Sequence, residues 1–177
     1  MNKKSKKYII AIILGFCLLS SCSSEDAKQS KENVLAFLTA YQAQDETCGQ
    51  YLAGNEENTN VKFEGFQSIL AEPIKFEINS VKEEKEYTIV NVNITNVDFG
   101  KVFEELANSD ELQIDTTENI AAELKTRLQA EEAPVIEFEV PIKLNKENKI
   151  EMTSELSNAL LGGYTQYIYE LTEGDVQ

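Results

Sequence analysis

The chain has 177 residues, and its 31 Asp and Glu residues outnumber its 16 Lys and Arg residues, which gives a formal net charge of −15. A surface this acidic repels the phosphates of nucleic acids, so we expect no nucleic-acid partner. The chain contains no histidine, which excludes Ser-His-Asp and Cys-His catalytic arrangements and His-containing zinc sites.

The N-terminal residues have the pattern of a secretory signal. Residues 1–7 contain four lysines and no acid, and residues 8–19 form an unbroken run of twelve apolar residues. A permanent membrane-spanning helix needs ~20 apolar residues to cross a hydrocarbon core of ~30 Å, so this run is too short to be one. We therefore expect an exported protein.

Leu19, Ser20, Ser21 and Cys22 follow the apolar run directly. This string resembles the lipobox of bacterial lipoproteins. The resemblance implies that residues 1–21 are a signal peptide cleaved after Ser21, and that the Cys22 thiol carries a diacylglyceryl group. It also implies an extracytoplasmic protein held to the cell membrane by its N-terminal lipid, since two or more acyl chains make a stable anchor. An ordinary signal peptide cleaved nearby, or an uncleaved anchor, is the alternative interpretation.

Loss of residues 1–21 would remove four lysines and no acid, leaving 31 acidic and 12 basic residues and a formal charge of −19. Residues 22–30 are polar, and we expect them to form a flexible acylated tether that reaches roughly 25 Å. A domain on such a tether would hang clear of the membrane, because anionic headgroups repel its negative charge.

Cys48 is the one cysteine that neither leaves with the predicted signal nor carries the predicted lipid. Alone, it has no partner for an intramolecular disulfide. A nucleophilic cysteine needs a histidine or a nearby cation to hold its thiolate, and the chain has no histidine and a single arginine, Arg127. We expect Cys48 to be buried as a small hydrophobic side chain.

The first element of the domain is predicted to be a helix with Ser30 as its N-cap. Four apolar residues recur at helical spacing on one face of this helix: Val34, Phe37, Leu38 and Tyr41. A break near Asp45 separates it from a short helical piece over residues 47–52. Composition predicts a loop over residues 55–60 and a further short helix over residues 66–71.

Two strands are predicted next. Residues 74–78 alternate between apolar and polar and indicate a half-buried strand, and residues 87–97 indicate a second one after a polar turn. Val90, Val92 and Ile94 share one face of the second strand. Tyr87 and Ile89 fall out of phase with them, so the strand needs either a bulge or two half-buried faces.

The second half of the chain begins with Asp98, the predicted N-cap of a helix over residues 99–106. Another helix is predicted over residues 117–130. Residues 136–144 then alternate as a long strand, and Pro141, which cannot donate to a ladder, places it at a sheet edge or at a bulge.

A turn over residues 145–148 is predicted to lead into a second hairpin arm through Ile150 and Met152. Ser154 is the predicted N-cap of a helix that Gly162 and Gly163 terminate. Residues 164–177 are predicted to form a C-terminal helical tail.

This order of elements, with residues 145–152 (NKENKIEM) and 158–163 (NALLGG), resembles the cystatin/NTF2-like cone of many small bacterial lipoproteins. The resemblance covers residues 31–163 and implies an α+β fold. In it, an N-terminal helix packs on a curved antiparallel sheet, with inserted and C-terminal helices. The chain lacks the tryptophan often found in the final strand of such domains. The same fold hosts enzymes and binding modules, so it does not fix the function.

Seven aromatic residues either fill the core of such a cone, which is the interpretation that we favour, or line a ligand pocket. They are Tyr41, Phe63, Phe66, Phe76, Phe99, Phe103 and Phe138.

We expect a non-catalytic module that binds a small apolar ligand or an extracytoplasmic protein, with no cofactor and no metal. The acidic and amide residues over 55–58 lack the Asp-x-Asp-x-Asp-Gly pattern of a calcium loop and indicate a solvated loop. The alternative function is a carboxylate-dependent hydrolase at the cell surface. It requires two acids that face each other ~5 to 9 Å apart inside a cleft.

Overall fold

The computed structural model describes residues 24–55, 60–109 and 117–173. The predicted signal peptide, the cleavage position Ser21 and the lipidation position Cys22 lie outside the described residues. So do residues 56–59 of the predicted loop and the last four residues of the predicted tail. No helix within the described ranges is long and apolar enough to cross a membrane.

The described residues form an α+β fold, as predicted. The elements in chain order are helix α1 (Glu25–Gln42), a 3₁₀ helix (Glu46–Tyr51), helix α2 (Phe66–Ala71), strands β1 (Lys75–Glu83) and β2 (Thr88–Val97), helices α3 (Phe99–Ala107) and α4 (Thr117–Leu128), strand β3 (Val135–Leu144), and helices α5 (Ser154–Leu160) and α6 (Tyr164–Glu173).

The strands form one antiparallel sheet in the order β1-β2-β3. Phe76, Ile94 and Phe138 lie side by side across its inner face. The sheet register shifts between Ile78 and Ser80 in β1, whereas β2 pairs with β3 without a shift. The predicted bulge is therefore absent from β2. The inner face of β2 is fully buried from Val90 onward, and Ile89 is half-buried on the outer face, so the predicted alternative holds for the outer face only.

Strand β3 lies at the sheet edge, which confirms the position that Pro141 predicted. The predicted second hairpin arm is wrong, because Ile150 makes isolated bridges to Leu144 and Leu52 instead of a strand. Both backbone hydrogen bonds of Ile150 go to the segment around Leu52. The Ile150 N–H donates to the Tyr51 carbonyl at 2.8 Å, and the Ile150 carbonyl accepts from Ala53 at 2.8 Å.

Helix α1 lies lengthwise on the inner face of the sheet and buries the four residues that its periodicity predicted. Its N-cap is Ser24, whose hydroxyl accepts a hydrogen bond from the Ala27 N–H at 3.2 Å. Ser30, the predicted cap, is buried inside the helix and donates to Asn148 Oδ1 at 2.6 Å. The flexible tether predicted over residues 22–30 is thus wrong from Glu25 onward. Glu25 and Asp26 suit the positive end of a helix dipole, so this polar segment begins a helix.

A second apolar core is built from α2, α3, α4 and α6 around Phe99. The Phe99 ring makes edge contacts with Phe66 and Tyr164, at centroid distances of 5.6 and 4.8 Å. Asp98 caps α3, as predicted, by accepting from the Lys101 N–H at 3.0 Å. The N-cap of α5 is Thr153, which accepts from the Leu156 N–H at 3.2 Å, and not the predicted Ser154.

Asn96 joins β2 to the end of α5. Its side chain is buried, and its Nδ2 donates to the carbonyls of Ala159 and Leu160 at 3.3 and 3.0 Å. Its Oδ1 accepts from the Val97 N–H at 2.8 Å. A helix leaves its last carbonyls without intrahelical partners. The Asn96 amide donates to two of these carbonyls and so fixes α5 to the sheet, and the Ala159 carbonyl also accepts from the Gly162 N–H at 3.2 Å.

We expect Asn96→Ala to lower the free energy of unfolding by about 2–3 kcal/mol, because the Leu160 carbonyl and the Val97 N–H lose the partner that Asn96 gives them. Urea denaturation followed by circular dichroism measures the change. Asn93→Ala is the matched control, since Asn93 is on the same strand but its amide bonds on the solvent side. Its expected cost is within about 0.5 kcal/mol. Equal costs for the two variants would contradict the role given to Asn96.

Candidate functional site

The structure divides the seven candidate aromatic residues between the two cores. Tyr41 and Phe63 make an edge contact at 5.1 Å and pack in the core under the sheet, together with Phe76 and Phe138. The other three, Phe66, Phe99 and Phe103, belong to the second core. The set therefore does not surround one common space. Tyr41 is the member that reaches the cavity between α1 and α5.

This cavity, which we name the α1–α5 pocket, has a volume of about 270 Å³. It lies between α1, the residues after the 3₁₀ helix, and α5, with Met152 as an exposed residue of its lining. The lining residues are Phe37, Tyr41, Cys48, Leu52, Val61, Gln67, Met152, Ser157, Leu160 and Leu161. Helical periodicity placed Phe37 on the correct face, but no local signal in the sequence brings α5 and the loop residue Val61 to it.

Three polar residues belong to the otherwise apolar lining: Tyr41, Gln67 and Ser157. Burial raises the pKa of Tyr41 to about 12, although a hydrogen bond with the Gln67 side chain lowers it in part. The phenol is therefore neutral at physiological pH. An apolar space with a few hydrogen-bonding groups is the usual composition of a small-molecule site.

Cys48 is fully buried and forms no disulfide, which confirms the prediction of a buried side chain. Burial raises the pKa of its thiol to about 11, and the negative charge of Asp45 adds to the effect. A thiol with this pKa is protonated at neutral pH, and the thiolate is the nucleophilic form. Cys48 therefore contributes apolar surface to the α1–α5 pocket.

The carboxylates with lowered pKa values lie at the starts of helices, Asp45 as the N-cap of the 3₁₀ helix and Glu155 in the first turn of α5. The Thr47 hydroxyl and then the Thr47 N–H donate to Asp45 and lower its pKa. The backbone N–H of Glu155 and then the Thr153 hydroxyl lower the pKa of Glu155. A general acid needs a raised pKa, so neither residue suits that role. The lining of the α1–α5 pocket contains no acidic residue.

A second cavity of about 400 Å³ lies where α2 and the end of α4 meet Val97 of β2. Glu72 is the acidic residue of its lining, together with Ile69, Pro73 and Gln129. One carboxylate does not form the pair that the alternative hydrolase requires.

The outer face of the sheet is polar. Asn91 Nδ2 donates to Ser80 at 2.9 Å, Asn79 Nδ2 to Asn93 at 2.7 Å, and Asn93 Nδ2 to Glu137 at 3.1 Å. These amides tie the three strands together on the side opposite α1. In residues 24–55, 60–109 and 117–173, no group of three or more Cys, Asp or Glu residues could hold a metal ion.

Comparison of this chain with protein-family models, curated proteins and solved structures finds no match.

Stability should fall as the pH rises above about 9. Burial raises the Cys48 pKa from 9.0 to about 11 and the Tyr41 pKa from 10.0 to about 12, so the unfolded chain releases these protons at lower pH than the folded one. The stabilisation is complete below the unfolded pKa values and is lost as the pH rises through the folded ones. Urea denaturation at several pH values from 8 to 11 measures this slope.

The double variant Tyr41→Phe/Cys48→Ala removes both ionisable groups. It should start less stable at pH 8, because it loses a hydrogen bond and packing, but its stability should fall less steeply above pH 9. Parallel curves for wild type and variant would show that other groups cause the alkaline loss.

Proposed function

We propose that the protein is a membrane-anchored extracytoplasmic lipoprotein that binds a small apolar ligand and has no catalytic activity. The α1–α5 pocket is the observation that supports the proposed binding function. Its volume of about 270 Å³ suits a compact ligand of a few rings or a short chain, and its Tyr41, Gln67 and Ser157 groups would orient a single polar substituent.

The absence of catalysis is proposed from the chemistry of the pocket. Its one thiol is held protonated by burial, and its one phenol is held neutral. Histidine is missing from the whole chain. The pocket therefore offers no thiolate, no base that would activate the Ser157 hydroxyl, and no group that exchanges a proton near neutral pH.

The proposed location at the outer side of the cell membrane is inferred from the sequence. The lysine-rich start, the twelve-residue apolar run and the Leu19-Ser20-Ser21-Cys22 string occur in the order that a lipoprotein signal requires. We propose cleavage after Ser21 and acylation of Cys22.

We also propose that the fold is a reduced form of the cystatin/NTF2-like cone. One helix packed lengthwise on an antiparallel sheet supports this relationship. The sheet has three strands, and isolated bridges at Ile150 stand in place of a fourth.

A protein partner is the second candidate, favoured by the exposed polar outer face of the sheet. Glu77, Glu137 and Glu139 are exposed there. A partner on this face would carry complementary basic groups.

Ser157→Trp should fill the α1–α5 pocket and weaken the binding of N-phenyl-1-naphthylamine at least tenfold, roughly 1.4 kcal/mol or more. This probe is neutral, so the acidic protein does not repel it. Fluorescence titration gives the affinity. Ser154→Trp is the matched control, because it makes the same change on the exposed side of the same helix.

We expect the Ser154→Trp protein to bind the probe as wild type does. If wild type does not bind neutral apolar probes, or if both variants bind unchanged, the pocket is not a ligand site. Thermal unfolding of each variant checks that it is folded.

Cys22→Ala should abolish acylation and leave an uncleaved precursor or a soluble protein. Membrane fractionation of the producing bacterium, with mass spectrometry of the N-terminal peptide, measures the outcome. The matched control is Cys48→Ala, which changes the other cysteine of the mature chain and should remain membrane-bound. A wild-type protein whose N-terminal peptide does not begin at Cys22, or begins there without an acyl chain, would refute the proposed anchor.

A further inference from the structure

We propose that the domain rests directly on the lipid surface through one end, which we name the tether end, and holds the α1–α5 pocket away from the membrane. The tether end consists of residues 24–32, 82–87 and 143–149. This inference rests on the acylation of Cys22 in the proposed function, and the structure supplies its remaining steps.

The first step is a covalent limit. Cys22 precedes the α1 N-cap Ser24 by two positions, so their Cα atoms are at most ~7 Å apart whatever the conformation between them. An acyl group on Cys22 enters the bilayer. The start of α1 must then lie at the headgroups, and the domain cannot hang 25 Å clear of them.

The second step identifies what lies beside the start of α1. The Ser24 hydroxyl donates to Glu83 at the end of β1, so the β1–β2 turn is at this end. Ser30 donates to Asn148 in the turn after β3. Lys146 and Glu86 connect the two turns by an ion pair of 2.5 Å. Three separate segments thus form one contiguous surface around the anchor.

The third step is the charge of that surface. The tether end carries seven lysines and seven acidic residues, so its formal charge is zero. The lysines are Lys28, Lys31, Lys82, Lys85, Lys143, Lys146 and Lys149. The other described residues include 18 acidic and 5 basic ones, a formal charge of −13. An anionic lipid surface repels the described residues outside the tether end, which are strongly negative, but it does not repel the neutral tether end. It also attracts the lysines of the tether end that lie near it.

The fourth step locates the pocket. Phe37 and Tyr41 lie 13 and 17 positions after Ser24, which places them roughly 20 to 25 Å along the helix from the anchor. The pocket is therefore held beyond the headgroups. A ligand would reach it from the aqueous phase.

The test attaches a fluorophore in the mature acylated protein, either at the first residue of β1 or in the turn that follows β1. Lys85→Cys labels the tether end and Lys75→Cys labels the opposite end, and both lysines are exposed. Both variants also carry Cys48→Ala, so that the introduced cysteine is the reactive thiol. The labelled proteins are placed in vesicles of phosphatidylcholine with about a quarter phosphatidylglycerol and a headgroup spin-labelled lipid as quencher.

We expect at least about threefold stronger quenching at position 85 than at position 75, because the two ends of β1 are separated by roughly 26 Å. Glu147→Cys and Glu72→Cys form a second pair, in which both changes remove one negative charge. The same ratio in both pairs supports the inference. Equal quenching of the two ends, or stronger quenching at the far end, overturns it.

Mass spectrometry of the same samples separates the two proposals. Acylated Cys22 with equal quenching overturns the orientation and leaves the lipoprotein assignment standing. Cys22 without an acyl chain removes the anchor, and both proposals fall.

Discussion

The structure depends on the lengthwise contact between α1 and the sheet. Ser24 at the start of α1 bonds to Glu83, and Gln42 at its end donates to the Ile74 carbonyl at 2.6 Å. The helix therefore runs antiparallel to β1 over its whole length. Its 18 residues span about 27 Å, close to the length of the nine-residue β1. Because both ends are fixed, the same contact sets the position of the proposed anchor and that of the pocket.

The two apolar cores meet at the end of β2. Gly162 follows α5 there with φ of +58°, and a Cβ at this position would lie 2.1 Å from the Val97 carbonyl oxygen. No other residue fits so close an approach at this backbone conformation. The Gly162 carbonyl in turn accepts from the Phe99 N–H at 3.0 Å. Asn96 and Gly162 thus join the sheet, α5 and the start of α3 at one point, which couples the two cores.

Sequence pattern correctly predicted the elements that depend only on neighbouring residues. It failed where contacts with distant residues decide which of two similar residues caps a helix or lines a pocket. The periodicity of α1, the α2 segment and the Asp98 cap required only neighbours in the chain. By residue type, Ser24 and Ser30 are equally good N-caps for α1, and Thr153 and Ser154 are equally good N-caps for α5. Packing decides between them. In α1, for example, the Ser30 hydroxyl is used in a hydrogen bond to Asn148. The α1–α5 pocket was missed because its residues come from four separate segments. The aromatic set was predicted as one group, yet two cores divide it.

The uneven charge of the surface affects the proposed ligand as well as the orientation. The described residues outside the tether end carry a formal charge of −13, and the α1–α5 pocket lies in that part of the chain. The lining contains no basic group to offset the surrounding field. An anionic ligand would therefore lose hydration without gaining a cationic partner. A neutral ligand neither loses the hydration of a charge nor is repelled by the negative surface. This is consistent with a pocket whose lining includes a protonated thiol, a neutral phenol and an amide.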